Sequence, residues 1–465
     1  MSILQTTLSP IDGRIYVERP LASAAEIDAA LKKARATQSD WKRVPIAERV
    51  AVCRRFVDYM LTHREEFGLE ITWQMGRPIR YTPREIDRMA ERARYMIDIA
   101  EETLADIVLD PQDGFTRFIR REPLGVILAI SPWNYPYLTA ISVTIPAILA
   151  GNTVVMKHSP QTPLCSERLG QGFAAAGLPD GIFQYLHTSV EDTEKLIECG
   201  DIDFVAFTGS VAVGRAVQHA AVNRFIGVGL ELGGKDPAYV RPDADLAHAV
   251  ENLVDGALFN SGQSCCAIER IYVHEAVYDQ FIEGADALTN TYVLGDPRSP
   301  ETTLGPLVRT SSADFVRHQI AEAVAQGAKA LIDETIFPFS RAGTPYLAPQ
   351  LLVNVDHSMS VMRDETFGPV VGIMKVASDE EAVRLMNDTS FGLTAAIWTS
   401  DEEAALRLGE QVNVGTWFMN RCDYLDPGLA WTGVKESGRG CSLSRIGFEH
   451  LTRPKSFHLR TRTHR

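Results

Sequence analysis

Four short apolar runs constrain the fold of this chain more than any other feature. Val126-Ile127-Leu128-Ala129-Ile130, Thr153-Val154-Val155-Met156, Ile182-Phe183-Gln184-Tyr185-Leu186 and Phe204-Val205-Ala206-Phe207 are nearly continuous in apolar residues. A strand with one wet face alternates apolar and polar side chains. Runs like these belong to strands covered on both faces, the condition of a parallel sheet between helices. Helical spacing over residues 165–176 and 192–199 separates several of them. The succession predicts an α/β fold with ligand groups gathered where the strands end.

A second α/β series follows Gly234, with helical spacing over 246–258 and 276–288 and strand-like runs at 271–273, 370–374 and 394–398. Nearer the start, Ser23 and Glu26 have capping-box spacing ahead of Ile27, Ala30, Leu31 and Ala34. Helical patterns also cover 46–60 and 84–105. A chain of 465 residues exceeds what one core fills, so two or more closely packed domains are expected.

Composition narrows the function by exclusion. A net charge of −14 argues against a general nucleic-acid or anionic-membrane surface. The basic stretch from Arg453 to Arg462 reads as a solvated or subunit-contacting tail. Pro132, Asn134, Pro136 and Pro146 interrupt the longest apolar stretch, over 126–150, so no membrane span is expected. Met1-Ser2-Ile3-Leu4-Gln5 has neither the basic nor the apolar region of a signal peptide. Seven scattered cysteines without a Cys-x-x-Cys pair suit a reducing cytoplasm, with neither a disulfide framework nor a metal site.

The chemistry centres on Cys265, in Phe259-Asn260-Ser261-Gly262-Gln263-Ser264-Cys265-Cys266-Ala267, and on Glu231, in Glu231-Leu232-Gly233-Gly234-Lys235. A thiol nucleophile and a carboxylate base, each beside flexible glycine, equip a chain for covalent attack on a carbonyl. Each residue alone has a plainer reading. Cys265 is then a buried structural thiol, and Glu231 a surface glutamate. The exposed reading fits Glu231 poorly, because Ile226-Gly227-Val228-Gly229-Leu230 before it reads as a buried strand. Together with Ser131-Pro132-Trp133-Asn134-Tyr135-Pro136, Phe207-Thr208-Gly209-Ser210 to Gly214, and Glu365-Thr366-Phe367-Gly368-Pro369, the two motifs resemble the aldehyde dehydrogenase superfamily over nearly the whole chain.

The resemblance implies oxidation of an aldehyde to a carboxylic acid with NAD or NADP. It implies a Rossmann-type cofactor domain over 1–108 and 124–233, a catalytic α/β domain over 234–444, and a small β oligomerisation element over 109–123 and 445–465. Phe115-Thr116-Arg117-Phe118-Ile119-Arg120 alternates as a strand of that element should. A homodimer or homotetramer is implied. Cys265 would form a thiohemiacetal and then a thioester, Glu231 would activate the water that hydrolyses it, and Asn134 would hold the oxyanion. Asn134 read alone is a turn residue. For the cofactor the matching positions are Ser131, Trp133, Lys157, Gly209, Ser210, Gly214, Leu232, Gly233, Glu365 and Phe367.

Two departures stand out. Many NAD-preferring relatives carry a glutamate shortly after the lysine that matches Lys157, whereas this chain reads Lys157-His158-Ser159-Pro160. That leaves NAD and NADP both open. His158 could aid a 2′-phosphate, though a capping or solvated histidine is the plainer reading. Near the end, Gly440-Cys441-Ser442 replaces the usual Gly-Arg-Glu, removing a second active-site carboxylate and putting that route of proton release in doubt.

The implied pocket wall is Tyr135, Phe259, Ser264, Cys266, Leu425 and Trp431, which favours a medium apolar or aromatic aldehyde. Arg421 could instead pair with the carboxylate of a semialdehyde. Asp423 and Asp426, with cation–π help from Trp431 and Tyr135, could favour an aminoaldehyde. All three charges making only loop contacts is the plain alternative. Three rival classes remain: a thiol ester hydrolase, a coenzyme-A-acylating relative, and a non-catalytic nucleotide-binding protein. The cofactor motifs weigh against the first, Glu231 against the second, and retention of Cys265, Glu231 and Asn134 against the third.

Overall fold

The computed structural model describes residues 3–463. Positions 1, 2, 464 and 465, at the outer limits of the expected ranges, lie outside the described residues. The four apolar runs form neighbouring parallel strands. Val126–Ser131 is central, between Thr153–His158 and Phe204–Thr208. Phe183–Tyr185 closes one edge, Gly227–Glu231 extends the other, and the short strand Gly438–Arg439 adds to it antiparallel. Side chains alternate between two cores. Ile127, Ala129, Val154 and Met156 pack with Phe56, Met89 and Ile145 of helices Ile46–Thr62, Thr82–Leu104 and Pro136–Ala150. Val126, Leu128, Ile130 and Val155 pack on the other side with Leu31 of helix Ala24–Trp41 and Val217 of helix Val211–Ala220.

The second sheet begins directly after Glu231. Asp236–Val240 and Ile268–His274 pair in parallel, followed outward by Val370–Val376 and Gln350–Val353 on one side and by Thr394–Trp398 and Thr416–Met419 on the other. Lys329–Ala330 ends it antiparallel. Val240, Val273, Ile373 and Trp398 face one core; Tyr239, Tyr272, Val370 and Ile397 face the other. Both series are thus parallel sheets between helices, as their continuous apolar runs predict.

Two expectations need correction, and one helix had no counterpart among them. The run before Glu231 is not a fully buried strand: Val228 and Leu230 are buried, but Gly227 is exposed and Gly229 and Glu231 are half-buried. Gly227, Gly229 and Glu231 share one face, which is only partly covered, and only a two-residue strand lies outside at that edge. The basic C-terminal stretch is not a tail. Thr452–Arg460 is a strand paired antiparallel along Phe115–Pro123, with Ile107–Val108 on the far side, and Phe118 stacks on Phe457 at 4.5 Å. Helix Arg64–Met75 escaped the sequence reading, because Thr72 and Gln74 share its buried surface with Phe67 and Ile71 and blur the apolar period. The Ser23–Glu26 capping box forms as expected, with both reciprocal hydrogen bonds. Among the described residues no helix is long and apolar enough to cross a membrane.

Candidate active site

The segment bearing Cys265 leaves helix Leu246–Leu258 through an unusual turn. Asn260, Ser261 and Gly262 all have positive φ, at 54°, 55° and 71°. Such backbone is sparsely populated by residues other than glycine and persists only when its surroundings hold it. Here they do. Asn260 Nδ2 donates to the Gln263 carbonyl at 3.1 Å, and Gln263 Nε2 returns a bond to the Asn260 carbonyl at 3.1 Å. Gln263 Oε1 accepts the Val308 N–H at 2.8 Å, and Ser261 Oγ donates to the Gly305 carbonyl at 2.9 Å. A Cβ on Gly262 would collide with the Gly368 carbonyl, which locks the turn against the Glu365–Pro369 loop.

A buried arginine ties this turn to the Asn134 loop. Arg77 Nε donates to Asn260 Oδ1 at 2.9 Å, Nη2 to the Asn134 carbonyl, and Nη1 to Glu85 in a buried ion pair. Glu85 in turn accepts the Tyr137 and Leu138 N–H groups at 2.9 and 3.3 Å, at the start of helix Pro136–Ala150. Asn134 Nδ2 donates to the Gln263 carbonyl at 3.2 Å, so the expected oxyanion donor sits against the cysteine turn. Cys265 is half-buried and, like the partly buried Trp133 and Leu425, packs against the apolar core of the first domain. Neither Arg77 nor Glu85 stood out in the sequence. Only the fold brings residues 77, 85, 134 and 260 together.

Glu231 ends its strand half-buried. Thr208 Oγ1 donates to Oε2 at 3.0 Å, and Ser442 Oγ donates to Oε1. Ser442 belongs to the stretch that departs from the family pattern, and its hydroxyl is the group that meets Glu231 there. Trp431 and Ser442 exchange backbone hydrogen bonds at 2.8 and 2.9 Å, which fixes that segment. The neighbouring Cys441 thiol is pushed up to about 11 by burial and by the charge of Glu231. The glycines after Glu231 serve close approach more than flexibility. A Cβ on Gly233 would strike the Glu365 carboxylate, and one on Gly234 the Cys265 carbonyl.

The expected cofactor positions gather around the carboxyl ends of the first sheet. Ser210 caps helix Val211–Ala220, accepting the Val213 N–H at 3.4 Å. Gly214 lets that helix close on Leu232, which is buried. Lys157 is half-buried near the end of its strand, and burial lowers its ammonium. Ser131 is buried at the end of the central strand, and Trp133 meets Phe367 edge-on at 5.7 Å. Glu365 accepts the Gly234 N–H at 3.1 Å, and burial pushes its carboxyl up to about 8. The loop carrying it rests on a buried pair not anticipated from sequence: Lys235 Nζ donates to Glu269 at 2.6 Å, and Glu269 accepts the Thr366 and Phe367 N–H groups. His158 is neither solvated nor free for a phosphate. It is buried between the Pro136 carbonyl and the Thr162 hydroxyl, and burial lowers it to about 4.

The pocket-wall residues divide. Cys266 and Trp431 are buried in the core cluster that also touches Cys265 and Leu425. Asp423, held at a φ of 46°, turns inward and accepts from Ser264 Oγ at 3.1 Å and Cys266 Sγ at 3.0 Å. Burial pushes its carboxyl up to about 7. Phe259 meets Tyr81 edge-on at 5.0 Å. Two expectations fail. Arg421 is exposed and stacks on Tyr424 at 3.4 Å, while exposed Asp426 accepts the Gly428 N–H at 2.8 Å. Both make loop contacts. One face of Tyr135 carries the Arg77 guanidinium at 4.3 Å, so that face is not open to a substrate cation. Among the described residues no group of His, Cys, Asp or Glu is arranged to hold a metal ion.

Residues 4–457 match the model of the aldehyde dehydrogenase family. The chain belongs to that family. Its relatives include the succinate semialdehyde dehydrogenase [NAD(P)+] Sad of Escherichia coli K12, 35% identical over 96% of either chain. Succinate-semialdehyde dehydrogenase [NADP(+)] 1 of Mycobacterium tuberculosis H37Rv is 33% identical over 97% of this chain and 98% of its own. Among solved structures, the NADP-dependent glyceraldehyde-3-phosphate dehydrogenase of Bacillus halodurans C-125, complexed with NADP, superposes with a TM-score of 0.93. It is 32% identical, with 99% of this chain and 96% of that one covered. The α/β architecture expected from the apolar runs is the aldehyde dehydrogenase fold.

Proposed function

We propose that this member of the aldehyde dehydrogenase family oxidises a short aldehyde to its carboxylic acid with NAD(P)+, using Cys265 as nucleophile and Glu231 as the base of hydrolysis. One observation carries the reading. Cys265, Glu231 and Asn134 come from distant parts of the chain, yet Asn134 bonds the cysteine turn and Gly234 packs on the Cys265 carbonyl. The donor set fits the dinucleotide. Ser210 at a helix N-terminus and the half-buried Lys157 suit phosphate and ribose, and Glu365 and Phe367 suit the nicotinamide end. When bound, the nicotinamide supplies the hydride acceptor.

The chain's own residues do the rest. The Cys265 thiolate attacks the aldehyde carbon, and Asn134 Nδ2 with the Cys265 backbone N–H holds the oxyanion. After oxidation the acyl group remains on Cys265 as a thioester. Glu231 takes a proton from water, which attacks the thioester and frees the thiolate. Thr208 and Ser442 orient Glu231, and their hydroxyls share its charge while it waits. We assign cofactor binding to 1–108 and 124–233, catalysis to 234–444, and subunit contact to the element over 109–123 and 445–465.

For substrate we place short aldehydes ending in a carboxylate ahead of apolar ones, reversing the order that the pocket aromatics alone suggest. The named activity of the two curated relatives supports that order. The test is absorbance at 340 nm with NAD and NADP separately, against succinate semialdehyde, butanal, benzaldehyde and a small aminoaldehyde. Turnover of any aldehyde supports the reaction, and the ranking tests the substrate class. Ester hydrolysis with no cofactor reduction would replace this reading with a thiol hydrolase.

A further inference from the structure

Glu269 is a buried carboxylate that the chemistry above leaves unused. It lies in strand Ile268–His274, just after Cys265, and its side chain is 3% exposed. Its two oxygens accept from three groups. Lys235 Nζ, also buried, donates to Oε2 at 2.6 Å. The Thr366 N–H donates to Oε2 at 2.8 Å and to Oε1 at 3.1 Å, and the Phe367 N–H donates to Oε1 at 2.9 Å. Lys235 Nζ also donates to Thr366 Oγ1 at 2.9 Å. One carboxylate thus ties together three segments: the stretch after Glu231, the strand after Cys265 and the loop Glu365–Pro369.

What these bonds hold is the loop expected at the nicotinamide. Phe367 has a φ of 52°, and such backbone in a residue other than glycine persists only where its surroundings fix it. The two N–H groups that Glu269 binds are those of Phe367 and of the residue before it. At the start of the loop, the Glu365 carboxylate fills the space a Cβ on Gly233 would need and accepts the Gly234 N–H at 3.1 Å. Gly234 in turn lies against the Cys265 carbonyl. The loop is therefore set against the backbone of the candidate nucleophile. A buried ion pair adds little stability over apolar residues of similar volume. The geometry it fixes is the better account of this one.

We propose that Glu269, paired with Lys235, is a positioning residue for hydride transfer: by holding the Thr366 and Phe367 backbone it sets the wall against which the nicotinamide lies, relative to the carbon bound at Cys265. The assignment rests on the aldehyde-oxidising reading above. In that step a hydride leaves the thiohemiacetal carbon for the nicotinamide, and the carbon becomes the thioester. Glu269 acts only through the loop. Hydrolysis does not depend on it, because Thr208 and Ser442 orient Glu231. A misplacement of about 1 Å is enough to slow such a transfer by about a hundredfold.

The experiment compares the wild type, Glu269→Gln and the double variant Lys235→Met/Glu269→Gln. Three quantities are read: the single-turnover rate of NAD(P)H formation with an aldehyde the wild type oxidises, NAD(P)+ affinity by fluorescence titration, and the rate of Cys265 alkylation by iodoacetamide without cofactor. The single-turnover rate should fall about ten- to hundredfold in both variants. Affinity should weaken by less, and alkylation should be unchanged. An unchanged single-turnover rate would overturn the assignment. So would an equal fall in alkylation, which would make the pair a support of the whole site. Glu269→Gln leaves Lys235 buried without its partner, whereas the double variant leaves no charge unpaired and decides the matter where the single variant does not fold. Failure of both to fold would overturn the assignment in favour of a purely structural pair. A wild type that binds the cofactor but oxidises no aldehyde would reject the reaction; weakened affinity in the variants would then still assign Glu269 to the nicotinamide loop, and unchanged affinity would overturn it. A wild type that binds no cofactor would overturn both.

Discussion

The candidate nucleophile and the candidate base are fastened in opposite ways. The Cys265 turn is pinned by a buried ion pair, a guanidinium shared among Glu85, Asn134 and Asn260, and reciprocal amide bonds between Asn260 and Gln263. Glu231 is held by two hydroxyls on a partly covered strand near a sheet edge. The contrast matches the proposed tasks. An attacking sulfur and its oxyanion donor gain from fixed geometry. A carboxylate that first shelters beside hydroxyls and then takes a proton from water needs a hold it can leave.

Substitutions in the two regions should therefore differ in kind. Replacing Cys265 with Ala should remove cofactor reduction by more than about a thousandfold, while NAD(P) binding, followed by fluorescence titration, persists. Retained turnover would remove Cys265 as nucleophile. Arg77→Ala should harm folding as well as rate, because it leaves Glu85 buried without its partner. The expected loss is about 3–5 kcal/mol in denaturant unfolding, and an unchanged midpoint would show that the turn does not depend on the pair.

On the base side the fold should survive. Glu231→Gln should slow the steady state and show a burst of reduced cofactor as the thioester accumulates. A linear trace at wild-type rate would take Glu231 out of hydrolysis. Ser442→Ala should lower the steady-state rate by about three- to tenfold, since one hydrogen bond to a carboxylate is lost, with an unchanged melting temperature. A fall in the burst rather than in the steady state would place Ser442 on the nucleophile's side instead.

The smallest effect concerns pH. Burial raises the Asp423 carboxyl to about 7, so its negative charge appears as pH rises through neutrality. An anionic substrate then meets growing repulsion. The ratio of kcat/KM for succinate semialdehyde to that for butanal should fall severalfold between pH 6 and pH 8, estimated at roughly one charge–charge contact in the pocket. Taking the ratio cancels the thiolate fraction common to both substrates. Asp423→Asn should flatten it, and a flat wild-type ratio would leave Asp423 without a role in selectivity.

Much of this molecule was legible before any coordinates. The continuous runs at 126–130, 153–156 and 204–207 fix parallel strands because only a doubly covered strand tolerates them. Leu246–Leu258 and Thr394–Trp398 fall where periodicity predicts them. Cys265, Glu231 and Asn134 were recognisable because each stands in a dense local motif. Arg77, Glu85 and Glu269 were not. Each is a charged residue in an ordinary polar neighbourhood, and its weight comes from partners far along the chain.

His158 and Arg421 mark the same boundary from the other side. Their residue types suggested ligand contacts, but burial neutralises the histidine and exposure leaves the arginine stacked on Tyr424. The sequence by itself determined the layered fold, the family and the identity of the candidate nucleophile, because periodicity and local motif are written in neighbouring residues. Only the tertiary structure decided which charges are paired and which stand free, because the energy of a buried charge depends on what the fold places around it.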